Sequence, residues 1–226
     1  VANPSHYSLE LPDRCLRLID ELWPHVQQIY EPNRMNEGPL TSTFLLAMAM
    51  PMIILPVERL EKQSSKNEGY ADDLHLDAHL NVAVKKALGS SHFKKSPFFA
   101  TGAWSYVHWL DPSLNISRGL PEGLSAQLSA SDAFKDAEDM PTSQWCSILR
   151  NALSHGGVAY LNAQGRSMSG DQAEMFCFVS GKYGGPERDV LESLRCLRVK
   201  ESDFRDFLRR WADWLKSSGV AELMAA

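Results

Sequence analysis

The plan of this chain turns on "SILRNALSHGGVAYLN", Ser147–Asn162. In its first half Ile148, Leu149, Ala152 and Leu153 recur at helical spacing, and the run stops at the pair Gly156-Gly157, a helix-ending signal. Its second half, Val158 to Leu161, is short and carries β-branched and aromatic residues, which favour a strand. The chain therefore changes texture here. One domain over 1–226 is expected, with a helical bundle over about 12–156 and a small sheet plus terminal helix over about 157–219.

Upstream, Cys15, Leu16, Ile19, Leu22, Trp23 and Val26 keep a helical period and predict a first helix, bent near Pro24 because proline removes a backbone donor. The run "FLLAMAMPMIILPV", Phe44–Val57, has no charge for fourteen residues. A membrane span needs roughly 20, and Pro51 and Pro56 interrupt this one, so a buried helix from about Thr41 to Lys62 is predicted. Leu76, Leu80, Ala83, Val84 and Ala87 predict an amphipathic helix ending at Gly89. The segment from Ser90 to Asp139 is aromatic and broken by Pro and Gly, and reads as short helices and ordered loops. Downstream, "EMFCFVS" and "LRCLRV", separated by the turn-rich "GKYGGPERD", join "GVAYLN" in a small antiparallel sheet. Ser202 is the expected cap of a last helix with Phe204, Phe207, Leu208, Trp211 and Leu215 on one stripe. The fold class read from these patterns is mainly α, with a small C-terminal sheet and a final helix.

The polar residues of the opening stretch admit two readings. On a helical wheel with Trp145 at 0°, Arg150 falls at roughly 140°, Asn151 at roughly 240° and His155 at roughly 280°. Asn151 and His155 are i, i+4 neighbours on one face, placed so that the amide can orient the imidazole. Arg150 stands on the other flank. Arginine and histidine can converge on one ligand only if the last turn unwinds at Gly156 or a second copy completes the site. The structural reading is a helix end: histidine before a glycine suits exposed carbonyls, which favour a cation. The functional reading pairs a planar phosphate fork with the side chain that exchanges protons near neutral pH.

The whole string "RNALSHG" resembles the Arg-Asn-x-x-x-His-Gly signature of HEPN domains, and with its flanks it is similar to a plasmid-associated HEPN subgroup. The resemblance implies a HEPN-like bundle of about four helices that pairs as a homodimer, bringing two Arg-x4-His motifs into one cleft. It implies metal-independent endoribonuclease activity, with the RNA 2′-hydroxyl attacking the adjacent phosphate and no cofactor. Carried over, His155 is the general acid or base, Arg150 holds the phosphate and its developing charge, and Asn151 orients the site. Toxin or defence roles belong to such proteins, with an antitoxin protein as further partner. The toxin branch carries a tyrosine two residues after the histidine; this chain has Gly157 there, so regulation through that tyrosine does not transfer. Non-catalytic RNA- or protein-binding modules share the motif and form the alternative.

Other residues are weighed beside these. Ser154, Lys94, Lys95, Glu58 and Arg59 are candidate substrate contacts. Lys94 and Lys95 lie among Phe93, Phe98, Phe99, Trp104, Tyr106 and Trp109, a mixture that stacks bases and neutralises phosphates in single-strand binders and that more often forms core. His75 and His79, at i, i+4 with Asp72, Asp73 and Asp77 close by, are a weak metal pair and support a metal-dependent hydrolase as second alternative. Arg205, Arg209 and Arg210 suggest a basic ridge, or ordinary i, i+4 pairs of Asp206 with Arg210 and Arg209 with Asp213. The net charge of −5 argues against a protein that coats nucleic acid. Four scattered cysteines read as buried, reduced thiols, and with no basic-then-apolar leader the expected location is the cytoplasm, with no membrane partner.

Overall fold

The computed structural model describes residues 3–4, 7–29, 40–62, 88, 92–167, 172–186 and 189–217. His75, His79 and the helix expected over Leu76–Ala87 lie outside the described residues, as does the Arg59 side chain. Among the described residues are six helices and four strands, in the order α1 (Tyr7–Val26), α2 (Thr41–Lys62), β1 (Trp104–Trp109), α3 (Glu122–Ser129), α4 (Ser131–Asp139), α5 (Thr142–Ser154), β2 (Val158–Leu161), β3 (Met175–Gly184), β4 (Val190–Lys200) and α6 (Glu201–Ser217).

The strands form one antiparallel sheet in the order β1-β4-β3-β2. This corrects the expectation of a mainly α, HEPN-like bundle carrying a small C-terminal sheet: the fold is mixed α and β. The difference lies in β1, which comes from the aromatic segment read as loops and short helices. Its six residues pair along β4 from Trp104↔Val199 to Trp109↔Leu194. Both faces of the sheet are covered by helices, so the sheet is the middle layer of the molecule and not an appendage.

Side-chain alternation sorts the core into two halves. On one face Trp104, Phe176, Phe178, Leu197 and Val199 meet buried residues of α1, α2, α5 and α6. On the other Val107, Ala159, Leu161, Cys177, Val179, Leu194 and Cys196 meet Leu124 and Leu128 of α3 and Ala133 of α4. Strand β3 is accordingly buried without interruption from Phe176 to Ser180, the pattern of a strand covered on both sides. Arg198 caps this second layer: its guanidinium donates to the Leu128 carbonyl at 2.8 Å and to Ser129 Oγ at 2.9 Å, meeting the carbonyl-rich end of α3. All four cysteines are buried and none is in a disulfide. Hydrogen bonding with Cys196, together with burial, pushes the Cys177 thiol well up, which makes it inert as a nucleophile.

Helix α2 contains a window, Thr41–Glu58, long and apolar enough to cross a membrane, and half of that window is buried inside the fold. Its placement explains Pro56. Pro56 has no N–H, so the carbonyl of Met52 four residues earlier loses its helical partner. The indole N–H of Trp211, on α6, donates to that carbonyl at 2.8 Å. Trp211→Phe replaces the indole with a smaller phenyl ring and strands the carbonyl, and is expected to cost at least about 1–3 kcal/mol, the usual penalty for a buried unpaired acceptor, with the cavity left by the lost ring adding to it; urea denaturation followed by far-UV circular dichroism measures it. At the start of α2 the hydroxyls of Thr41 and Ser42 donate to the Glu201 carboxylate of α6.

The arginines of α6 hold helices together. Arg209 makes a two-pronged pair with Asp20 on α1, Arg205 lies 4.6 Å over the Trp23 ring, and Arg210 Nε donates to the Phe98 carbonyl at 3.2 Å. Neither the basic ridge nor the local pairs with Asp213 and Asp206 describe them. The aromatic segment is likewise interior: Phe93, Phe98 and Trp104 are fully buried, and Phe93 stacks on Trp145 with centroids 4.4 Å apart. These three rings have no face left for a base.

Candidate functional site

Helix α5 runs through the core, with Trp145, Ile148, Leu149 and Ala152 at most 1% exposed. It stays regular to its end, where the backbone N–H of His155 still bonds to the Asn151 carbonyl at 3.0 Å. His155 caps the C-terminal end of α5, at φ −111°, ψ 9°, and its side chain is exposed. Gly156 follows at φ +69°, a left-handed conformation that glycine adopts without strain. Gly157 then donates its N–H back to the Ala152 carbonyl at 2.8 Å, closing a Schellman motif.

Gly157 answers a second demand. Its carbonyl accepts from the Val179 N–H at 2.7 Å, starting the β2–β3 ladder while α5 is still ending. A Cβ at this position would stand 2.2 Å from the Val179 carbonyl oxygen. The two glycines thus do different things: one reverses the chain, the other lets it touch the sheet.

The structure places the three central candidates as follows. Arg150 and Asn151 are half-buried and His155 is exposed. The Asn151 amide donates to Ser180 Oγ on β3 at 3.3 Å, so this amide fastens the helix to the sheet and is not turned to the imidazole. Nothing in the residue pattern marked Ser180, which is 5% exposed and whose pairing with Asn151 exists only because β3 folds under α5. Since the helix does not unwind before His155, Arg150 keeps its place on the far flank of α5. Ser154 is exposed and Glu58 half-buried. Lys94 is bonded to Asp139 at 2.6 Å, which raises the lysine and lowers the carboxyl; Lys95 is exposed.

One residue beyond His155 an open groove begins. It encloses about 650 Å³ and is walled by the short 3-10 turn Ile116–Arg118 with Gly119 on one side and by Gly156, Val158, Ala159, Tyr160 and Ser167 on the other. That volume lies in the range of ligand-binding clefts. Arg118 and Tyr160 were not singled out by their sequence surroundings, because the turn and the strand are brought together only by the tertiary fold. Among the described residues no group of three or more His, Cys, Asp or Glu side chains is arranged to hold a metal ion. Compared with protein-family models, curated proteins and solved structures, the chain matches none.

Proposed function

We propose that the chain is a metal-independent endoribonuclease that works as a homodimer, with His155 as proton carrier and Arg150 as phosphate clamp. The observation that carries this reading is the exposure of His155 at the end of a rigidly packed helix, next to an open groove. A proton carrier needs access to substrate and a fixed mount, and α5 with its double-glycine end supplies both. In the reaction a 2′-hydroxyl oxygen bonds to the adjacent phosphorus as the bond from phosphorus to the 5′-oxygen breaks. The imidazole takes the hydroxyl proton, water supplies one to the leaving 5′-oxygen, and the imidazolium then returns its proton to solvent. A guanidinium balances the charge that gathers on the phosphate oxygens.

The regularity of α5 up to His155 supports the dimeric part. Arg150 and His155 of one copy lie on different flanks, so a second copy facing this helix end brings a guanidinium to the imidazole. Toxin or defence roles, a cytoplasmic location and an antitoxin partner go with the same reading. The purified protein is expected to cut RNA in excess EDTA, leaving 2′,3′-cyclic phosphate ends detectable by mass spectrometry, and to sediment as a dimer. Activity that vanishes with EDTA and returns with one divalent ion favours instead a hydrolase using His75 and His79, and a monomer at micromolar concentration defeats the composite site. The bond from Asn151 to Ser180 supports a second reading, a binding module without turnover, because it gives a motif residue an architectural partner.

A further inference from the structure

We propose that the groove between the turn Ile116–Arg118 and strand β2 is a single-stranded RNA subsite, in which Arg118 holds a backbone phosphate and Tyr160 stacks a base. The inference rests on the ribonuclease reading and assigns the substrate's path beyond the scissile bond. Arg118 is exposed and is the only charged side chain lining the groove among the described residues, which makes it the available partner for a phosphate there. Tyr160 is 46% exposed. Its ring is buttressed edge-to-face by Phe176, centroids 6.0 Å apart at 70°, which leaves an outer surface for a base on a ring that is already ordered.

The edge of β2 adds polar groups. Gly157 and Leu161 direct their carbonyls inward, accepting from Val179 and Glu174, so by strand alternation Val158 and Tyr160 direct their backbone groups outward into the groove. The Tyr160 carbonyl already accepts from Ser167 Oγ at 3.2 Å. Gly119, at φ +85° and with its missing Cβ only 2.9 Å from the Ser167 side chain, lets the turn close down on this side. Two outward residues are too short a ladder for an added peptide strand, whereas one cation, an ordered ring and a few edge donors suit a nucleotide or two. The groove begins at Gly156, so a strand cut at His155 runs directly into it.

The test separates binding from cleavage. A fluorescein-labelled 2′-O-methyl 12-mer, which lacks the attacking hydroxyl, is titrated by anisotropy into the wild-type chain and into Arg118→Ala, Arg118→Lys and Tyr160→Leu, and unmodified 12-mer and dinucleotide are assayed for cleavage. Arg118→Ala is expected to weaken 12-mer binding about tenfold, the usual worth of one charge-assisted contact. It is also expected to lower the slope of log affinity against log salt by about 0.7, one phosphate's share on a single strand. Arg118→Lys restores most of the slope, Tyr160→Leu weakens binding without changing it, and 12-mer cleavage falls more than dinucleotide cleavage in Arg118→Ala and Tyr160→Leu. Unchanged 12-mer affinity and slope in Arg118→Ala, with wild-type thermal unfolding, overturn the subsite. Arginine-dependent binding with no cleavage of any RNA sustains the subsite and sinks the ribonuclease reading.

Discussion

Gly157→Ala is expected to cost about 3 kcal/mol or more, a large share of the stability of a domain this size. The new methyl group would stand 2.2 Å from the Val179 carbonyl oxygen, a backbone atom in the centre of the sheet that cannot swing aside. Relief requires α5 to lift from β3, which strains the 2.7 Å bond between Val179 N–H and the Gly157 carbonyl and the 3.3 Å bond from Asn151 to Ser180. Its neighbour is the control. Gly156→Ala meets nothing within 4 Å and suffers only the left-handed backbone, about 1–2 kcal/mol. Urea midpoints for the two variants measure the difference. Equal losses would mean that the helix end and the sheet are not coupled through Gly157.

His155→Ala is expected to lower RNA cleavage by about 10²–10⁴-fold, the range of a general acid or base, while its stability stays within about 0.5 kcal/mol because the side chain is exposed. Arg150→Ala is expected to be similarly inactive. If a site joins Arg150 of one copy to His155 of its partner, mixing the two inactive variants after subunit exchange restores about a quarter of wild-type activity. Half of the dimers are then mixed, and each has one intact site of two. No recovery on mixing means that each chain carries its own complete site, and wild-type activity in His155→Ala removes this residue from the chemistry.

Local signals account for what the residues revealed in advance. The stripes Ile148–Leu153 and Phe204–Leu215, the double glycine and the β-rich runs after it fix α5, α6 and strands β2 to β4 with little help from the rest of the chain. Ser202 was expected to cap α6, whereas the helix starts at Glu201 directly from β4. The cluster "GKYGG" reads as a turn, yet Gly181 to Gly184 continue β3, with an irregularity between Lys182 and Tyr183 that absorbs the misfit. Strand β1 was missed for a reason of range: its partner β4 lies some ninety residues later, and the prolines and glycines around it mask the period-two order of Trp104, Tyr106 and His108. The site divides similarly. The helix end was legible, while Ser180, Arg118 and Tyr160 acquire their places only through tertiary packing.

The ties between α2 and α6 bear on how the chain is made. Residues 159 and 160 positions apart complete the Met52 carbonyl and the Thr41 hydroxyl, so contacts of very long sequence separation are needed before α2 is satisfied. A nascent chain that has reached α5 already displays the Arg150 and His155 motif but still lacks the helix that seats α2, and it exposes an apolar, proline-broken rod that invites chaperones. The proposed activity, which depends on the fixed end of α5, is therefore expected only after α6 has left the ribosome.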